Sequence, residues 1–395
     1  MRQWVTRLSA AFLGVAALAA VLSGSHRCLS LPYPPQGDQD TYLEEGRAAA
    51  EGTLAERSPL YSLWMAGFFE LAGRDLRRTC ALEKLGGTLL LALATALLGG
   101  RLFGIATAIL LGAWVMNCKY LLEETNGSHA LAAALWAAGA LALTSSLRRR
   151  RELGLTLLFL TTQVRYDMRA PFALVVLLLA ARDWKDGARG EKDERRRLVA
   201  SWSSTVLVCA CLWAGLHAHT DRDLPNRLSV AFRQSFAVTY AERRHLLERF
   251  PDAWHTWPAI WDEALPGAPD VATAVRKYPG ALLGHVVYQA GLSLRVLPAM
   301  VLAFDRPLLM LLLLASYIGL SGRQGLGLKG GPPGSTGLRD AATAGLALLV
   351  LVPVSCLIRV AARNYVQLIP LELIALVVVL HAGLAAVRPR RAARD

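Results

Sequence analysis

Apolar residues arrive in this chain as long blocks, and that grouping decides its solvent. Ten blocks follow one another: Leu8 to Gly24, about Leu85 to Gly99, Leu102 to Tyr120, Ser128 to Ser146, Leu153 to Val164, Pro171 to Ala181, Ser201 to His217, Pro307 to Leu320, Ala341 to Leu357 and Val366 to Val387. A soluble chain interleaves charge with its core residues, whereas runs approaching ~20 apolar residues are what a bilayer selects. The expected fold is an all-α membrane protein of about ten transmembrane helices, forming one domain over residues 1–395. The fifth, sixth and eighth blocks are short for a ~30 Å hydrocarbon core. They recruit flanking polar residues or pair as a shallow hairpin.

Charge sets the sidedness. The net charge is +13, and its densest clusters (Arg148 to Arg151, Arg182 to Arg197, Arg388 to Arg394) each directly follow an apolar block. That is the positive-inside pattern, not a nucleic-acid footprint. It places both termini in the cytoplasm, in a bacterial inner membrane. Two further apolar stretches, Ser58 to Gly73 and Ala281 to Phe304, would put basic clusters outside if they crossed. Both are therefore expected to lie flat in the interface, the first with Tyr61, Trp64, Phe68 and Phe69 dipped into headgroups. The N-terminus resembles a signal peptide, but further spans follow it, so Leu8 to Gly24 is read as the first span. Residues 25–84 then form a first external loop. Residues 218–306 form a second, rich in Arg and Trp, folded as interfacial helices after the seventh span.

The external segments carry the ionisable residues. In the first loop, helical spacing puts Asp38, Tyr42 and Glu45 on one face, with Asp40 as a rival to Asp38. Glu123 and Glu124 follow the third span. Arg165, Tyr166, Asp167 and Arg169 break the apolar run between the fifth and sixth spans. A charge at a helix centre costs ~2.5–3.5 kcal/mol on insertion scales, so such a cluster belongs at a membrane edge or in a polar cavity. Arg165 and Arg169, four apart, can point the same way. Arg359, Arg363 and Tyr365 precede the last span. Each also has an ordinary alternative: Asp38 or Asp40 as a helix cap, the glutamates as solvated loop, the arginines as partners of Asp167 or interface anchors, and the tyrosines as belt aromatics.

Other patterns carry less. Gly325 to Gly330 spells GxGxxG, but it follows a span, not a strand, and runs into Gly331-Pro332-Pro333-Gly334, so it is read as a cytoplasmic linker. Asn126-Gly127-Ser128 is a glycosylation sequon by letter, abutting a span. His217, His219 and Asp221 are read as a solvated cluster and not a metal site. The six cysteines show no framework spacing and are read as small core residues.

In order and spacing the chain resembles the GT-C membrane glycosyltransferases, the group that includes the protein O-mannosyltransferases and the lipid A aminoarabinose transferases. The resemblance covers roughly residues 1–185 and 355–390. It consists of a first span, then a loop with Asp shortly before Tyr (Asp38-Gln39-Asp40-Thr41-Tyr42), and a Pro-Leu-Tyr helix (Pro59-Leu60-Tyr61). An acidic spot after the third span follows (Glu123, Glu124), then Arg169-Ala170-Pro171, and last an Arg-x-Tyr (Arg363, Tyr365) before a closing span with Pro370. The chain departs from it where Gln39 separates the two aspartates, which leaves open which of them is the base, and in lacking a soluble C-terminal domain.

The resemblance implies a polyprenyl-phosphate-linked sugar as donor, a hydroxyl acceptor on the external face, and inversion at the sugar carbon. Asp38 or Asp40 would act as general base. Tyr42, Glu123, Glu124, Arg165, Tyr166, Asp167, Arg169, Arg363 and Tyr365 would hold substrate. No cofactor is required, and a divalent metal is compatible but not demanded. The rival classes are a lipid-linked sugar flippase, which would favour internal repeats and mid-bilayer polar residues, and an O-antigen-type polymerase or ligase, which would not need the early Asp/Tyr loop.

Overall fold

The computed structural model describes residues 2–30, 39–55, 58–123, 127–145, 147, 149–187, 192–218, 227–324, 335–353 and 362–387. Its helices, in chain order, are α1 (Arg2–Leu29), α2 (Gln39–Ala50), α3 (Pro59–Leu71), α4 (Leu76–Phe103), α5 (Ile105–Val115), α6 (Lys119–Glu123), α7 (Ser128–Thr144), α8 (Arg150–Val164), α9 (Arg169–Gly187), α10 (Lys192–His217), α11 (Arg227–Arg243), α12 (Trp257–Ala264), α13 (Val271–Lys277), α14 (Pro279–Leu302), α15 (Pro307–Gln324), α16 (Ser335–Ala347) and α17 (Ile369–Val387). Among the described residues the only β pairing is an isolated bridge between Cys118 and Phe304.

Among the described residues five helical segments are long and apolar enough to cross a membrane: Thr6–Leu29, Leu76–Phe103, Val199–His217, Pro279–Leu302 and Tyr365–Leu384. Ile105–Val115, Ser128–Thr144 and Pro307–Leu320 are apolar but shorter. At 1.5 Å per residue, α5 reaches only about 16 Å. The stretch expected to lie flat at 281–304 forms one continuous helix with the length and hydropathy of a span, Pro298 within it.

The chain divides into two compact units, residues 1–221, 300–348 and 366–395, and residues 222–299 with 349–365. In the first, helices approach through small residues, as hydrocarbon demands where no hydrophobic effect drives helix association. α5 returns along α4, with Gly99 against Leu111, Gly100 against Ala108 and Gly112 against Ala96. The turn is made by Gly104 alone, at φ 94°, a conformation that favours glycine. α7 and α8 meet at Gly139 and Gly154. A Cβ on Gly139 would stand 2.8 Å from Leu158 Cδ2 and 3.1 Å from the Gly154 carbonyl. Gly139→Val is therefore expected to destabilise the protein by about 1–3 kcal/mol, the usual cost of overpacking, read by denaturant unfolding in detergent. A change below a few tenths would mean the two helices can part freely.

The basic clusters also do structural work. Arg151 pairs with Asp183 at 2.6 Å, Arg182 pairs with Asp340, and the Trp202 indole donates to Asp183 at 2.8 Å. Asp340 is buried, so α8, α9, α10 and α16 are joined by compensated charge at the end of α8 opposite Arg165. Cys28, Cys80 and Cys118 are buried thiols, as expected of small core residues, whereas Cys209 is half-buried and Cys211 is exposed on α10, so the expectation does not hold for that pair.

The second unit has its own apolar core. Phe236, Trp261, Leu265, Ala268, Ala274 and Leu282 pack together, and Arg233 lies 4.5 Å over the Trp257 ring. Asp270 caps α13, accepting from the Thr273 N–H at 2.7 Å; that bond holds its carboxyl below the usual range.

Candidate functional site

α4 begins before its apolar block. Asp75 caps it, accepting from the Arg78 N–H at 2.9 Å, and the helix then carries Glu83 and Lys84 inside. Both are fully buried. They lie on the face that also buries Thr79, Cys80, Gly87, Thr88 and Leu91. Charges on a membrane helix are costly and are functional candidates by default. Glu83 Oε1 accepts from the Trp64 indole at 3.3 Å. The Lys84 ammonium donates to the Leu121 carbonyl. Tyr61 is fully buried beside Glu83. Among the described residues neither the Tyr61 hydroxyl nor Glu83 Oε2 completes a well-aligned hydrogen bond. Tyr42, from α2, meets the Tyr61 ring edge-on at 5.0 Å.

Gly127, directly before α7, closes the site from the other side. A Cβ there would collide with the Glu83 carboxylate. Glycine lets the positive end of a 17-residue helix come up to the carboxylate, an arrangement the helix dipole favours. The next residue, Ser128, belongs to a second network. Arg165 Nη1 donates to Ser128 Oγ at 3.1 Å and to His129 Nε2 at 2.8 Å. Its Nε and Nη2 each lie 3.0 Å from the Asp167 carboxylate. A guanidinium only donates, so His129 accepts at Nε2 and carries its proton on Nδ1. Gln367 Nε2 stands 3.1 Å from that Nδ1; with the amide turned over about its last bond, its oxygen would accept the Nδ1 proton. Gln163, two residues before Arg165 at the end of α8, meets His217 at 3.1 Å. Residues from α2, α3, α4, α7, α8 and the segment before α17 thus converge where Gly127 and Ser128 adjoin.

The expected site residues divide. Tyr42, Arg165 and Asp167 come together here. Tyr166 and Arg169 do not: Tyr166 is exposed, and the Arg169 guanidinium stacks 3.5 Å over its ring. Helical spacing from Arg165 fails because Arg165 is extended (φ −144°, ψ 132°) and a 3₁₀ turn, Tyr166–Met168, intervenes. Glu123 is half exposed and pairs with Lys119 at 3.8 Å, a surface contact and not part of this cluster. Tyr365 is fully buried, its hydroxyl 2.7 Å from Ser293 Oγ within the second unit. The aromatics of α3 do not dip into headgroups as a set: Tyr61 and Phe69 are buried, and Trp64 bonds to Glu83. Asp38, Glu124, Arg359, His219, Asp221 and Gly325 to Gly330 lie outside the described residues, as do the side chains of Asp40 and Arg363.

Sequence reasoning missed Glu83, Lys84, His129 and Gln367. Glu83 and Lys84 sit between Arg78 and the Leu85 block and read as loop charge. The signal that finds them is register: Thr79, Glu83, Gly87 and Leu91 recur every fourth residue, a stripe continuous with the buried face of the span.

No protein-family model and no curated protein matches this chain. Among solved structures it is similar to the crystal structure of ArnT from Cupriavidus metallidurans bound to undecaprenyl phosphate, at 16% identity and a TM-score of 0.43, over 94% of this chain and 71% of that one.

Proposed function

We propose that this chain is a membrane glycosyltransferase of the GT-C kind. It moves a sugar from a polyprenyl-phosphate donor to a hydroxyl acceptor on the external face, with inversion. The observation that carries this is the joint at Gly127 and Ser128, where the buried Glu83 with its neighbour Lys84 and an oriented arginine come together. The leaving group is a lipid phosphate, and fixed cations in a low-dielectric site stabilise its growing charge. Arg165 and Lys84 supply them, with Arg363 as a further candidate. An acceptor hydroxyl must lose a proton; a carboxylate in contact with it contributes ~10²–10⁴-fold. Asp38 takes that part, with Asp40 as its rival.

The test is a transfer assay on purified protein with a panel of polyprenyl-phosphate sugars. Asp38→Asn or Asp40→Asn should abolish transfer while the protein still inserts. If neither changes the rate, the base is misassigned. Translocation of a lipid-linked sugar without any transfer product would replace the transferase by a flippase.

A further inference from the structure

The second unit holds a pocket that the proposed transfer does not use. Tyr240, Arg243 and Arg244 from the end of α11 face Gly280, Gly284 and His285 from the start of α14 across a cavity of about 420 Å³. α11 stops because the chain turns left-handed at His245 (φ 56°), and the Leu246 N–H reaches back 2.9 Å to the Ala241 carbonyl. That fixes two neighbouring guanidiniums at a helix C-terminus, where positive charge is favoured.

Arg243 donates to the Gly284 carbonyl at 3.2 Å and lies 5.3 Å from the Tyr288 ring. The Arg244 guanidinium lies 5.8 Å from the Tyr240 ring. Among the described residues no carboxylate forms an ion pair with either. Opposite them, a Cβ on Gly280 would meet no atom within 4 Å. The backbone is therefore open at Gly280, while the N–H groups of Ala281 and Leu282 are taken by the Tyr278 carbonyl; the start of the 24-residue helix α14 contributes its positive dipole end, which attracts anions. The wall is aromatic, with Phe236 and Tyr240 nearly parallel at 6.1 Å and His285 beside Phe236.

We infer that this pocket binds a single sugar ring bearing an anionic group, a phosphate or a carboxylate. Guanidinium forks match those two anions, and aromatic faces receive the C–H face of a pyranose. The volume is near the lower end of the ~300–1,000 Å³ range of ligand pockets, which suits one ring and not an oligosaccharide. The inference does not depend on the transfer reaction.

The test is calorimetric titration of the full chain in neutral detergent with glucose 6-phosphate, glucuronate, glucose and inorganic phosphate. At least one acidic sugar should bind, with glucose and inorganic phosphate weaker by about tenfold or more, a difference of ~1.4 kcal/mol. The Arg243→Gln/Arg244→Gln pair and Gly280→Leu should each weaken binding by a similar factor. Gly280→Leu fills open space, so its melting temperature without ligand should stay at the wild-type value. No binding by either acidic sugar overturns the inference, as does equal binding by the double variant. Inorganic phosphate binding as tightly as the sugar phosphate removes the sugar from it. Displacement of the sugar by phosphatidylglycerol vesicles would assign the pocket to lipid headgroups instead.

Discussion

Lys84→Met is expected to cost about 3–5 kcal/mol of stability, the usual result of leaving a buried charge, here Glu83, uncompensated, and to abolish sugar transfer. Lys84 has no water to turn to: it is fully buried and its ammonium donates to the Leu121 carbonyl. Methionine keeps the length and apolar stem but leaves that carbonyl without its donor and Glu83 without the adjacent cation. A second variant separates folding from chemistry. Glu83→Gln/Lys84→Met removes both charges, and replacing a buried pair is often close to neutral. The double variant should therefore recover most of the stability while transfer stays absent. Denaturant titration in detergent and the transfer assay read the two effects separately. A Lys84→Met protein as stable and active as the wild type would show that Lys84 only fills space.

Arg165→Lys should lower transfer by about 10²–10³-fold, the loss typical of one preorganised charge-stabilising donor, with little change in folding. Lysine keeps the charge but not the fork. Arg165 engages Asp167 through two nitrogens while a third reaches both Ser128 and His129; one ammonium cannot span those positions. His129 would also lose the donor that fixes its tautomer. Wild-type transfer by the lysine variant would reduce Arg165 to a point charge and sink its assigned role.

Part of this corner was legible in the sequence. The polar break Arg165-Tyr166-Asp167 announced itself because three ionisable groups interrupt an apolar run, and Arg165 and Asp167 do face the α7 terminus. Arg169 misled because i, i+4 reasoning assumes a continuous helix, and the backbone leaves the helix at Arg165. Glu83 and Lys84 were hidden by their neighbours. Local charge density joined them to the Arg74 to Arg78 loop, while the periodicity of α4 assigns them to its buried face. His129 and Gln367 were invisible because they are 238 residues apart, and no local pattern links them.

Composition and block length by themselves determined that the chain is helical and suited to a bilayer, since a solvent that offers no hydrogen bonds leaves a backbone little choice. They also located the polar interruptions, because charge in hydrocarbon has to be accounted for residue by residue. Only the tertiary structure decided which charges meet. Gly127 admits the end of α7 to Glu83 because it has no Cβ, and Ser128 beside it hands the same corner to Arg165. That convergence depends on helix packing distances of a few ångströms, set by contacts between residues far apart in the chain.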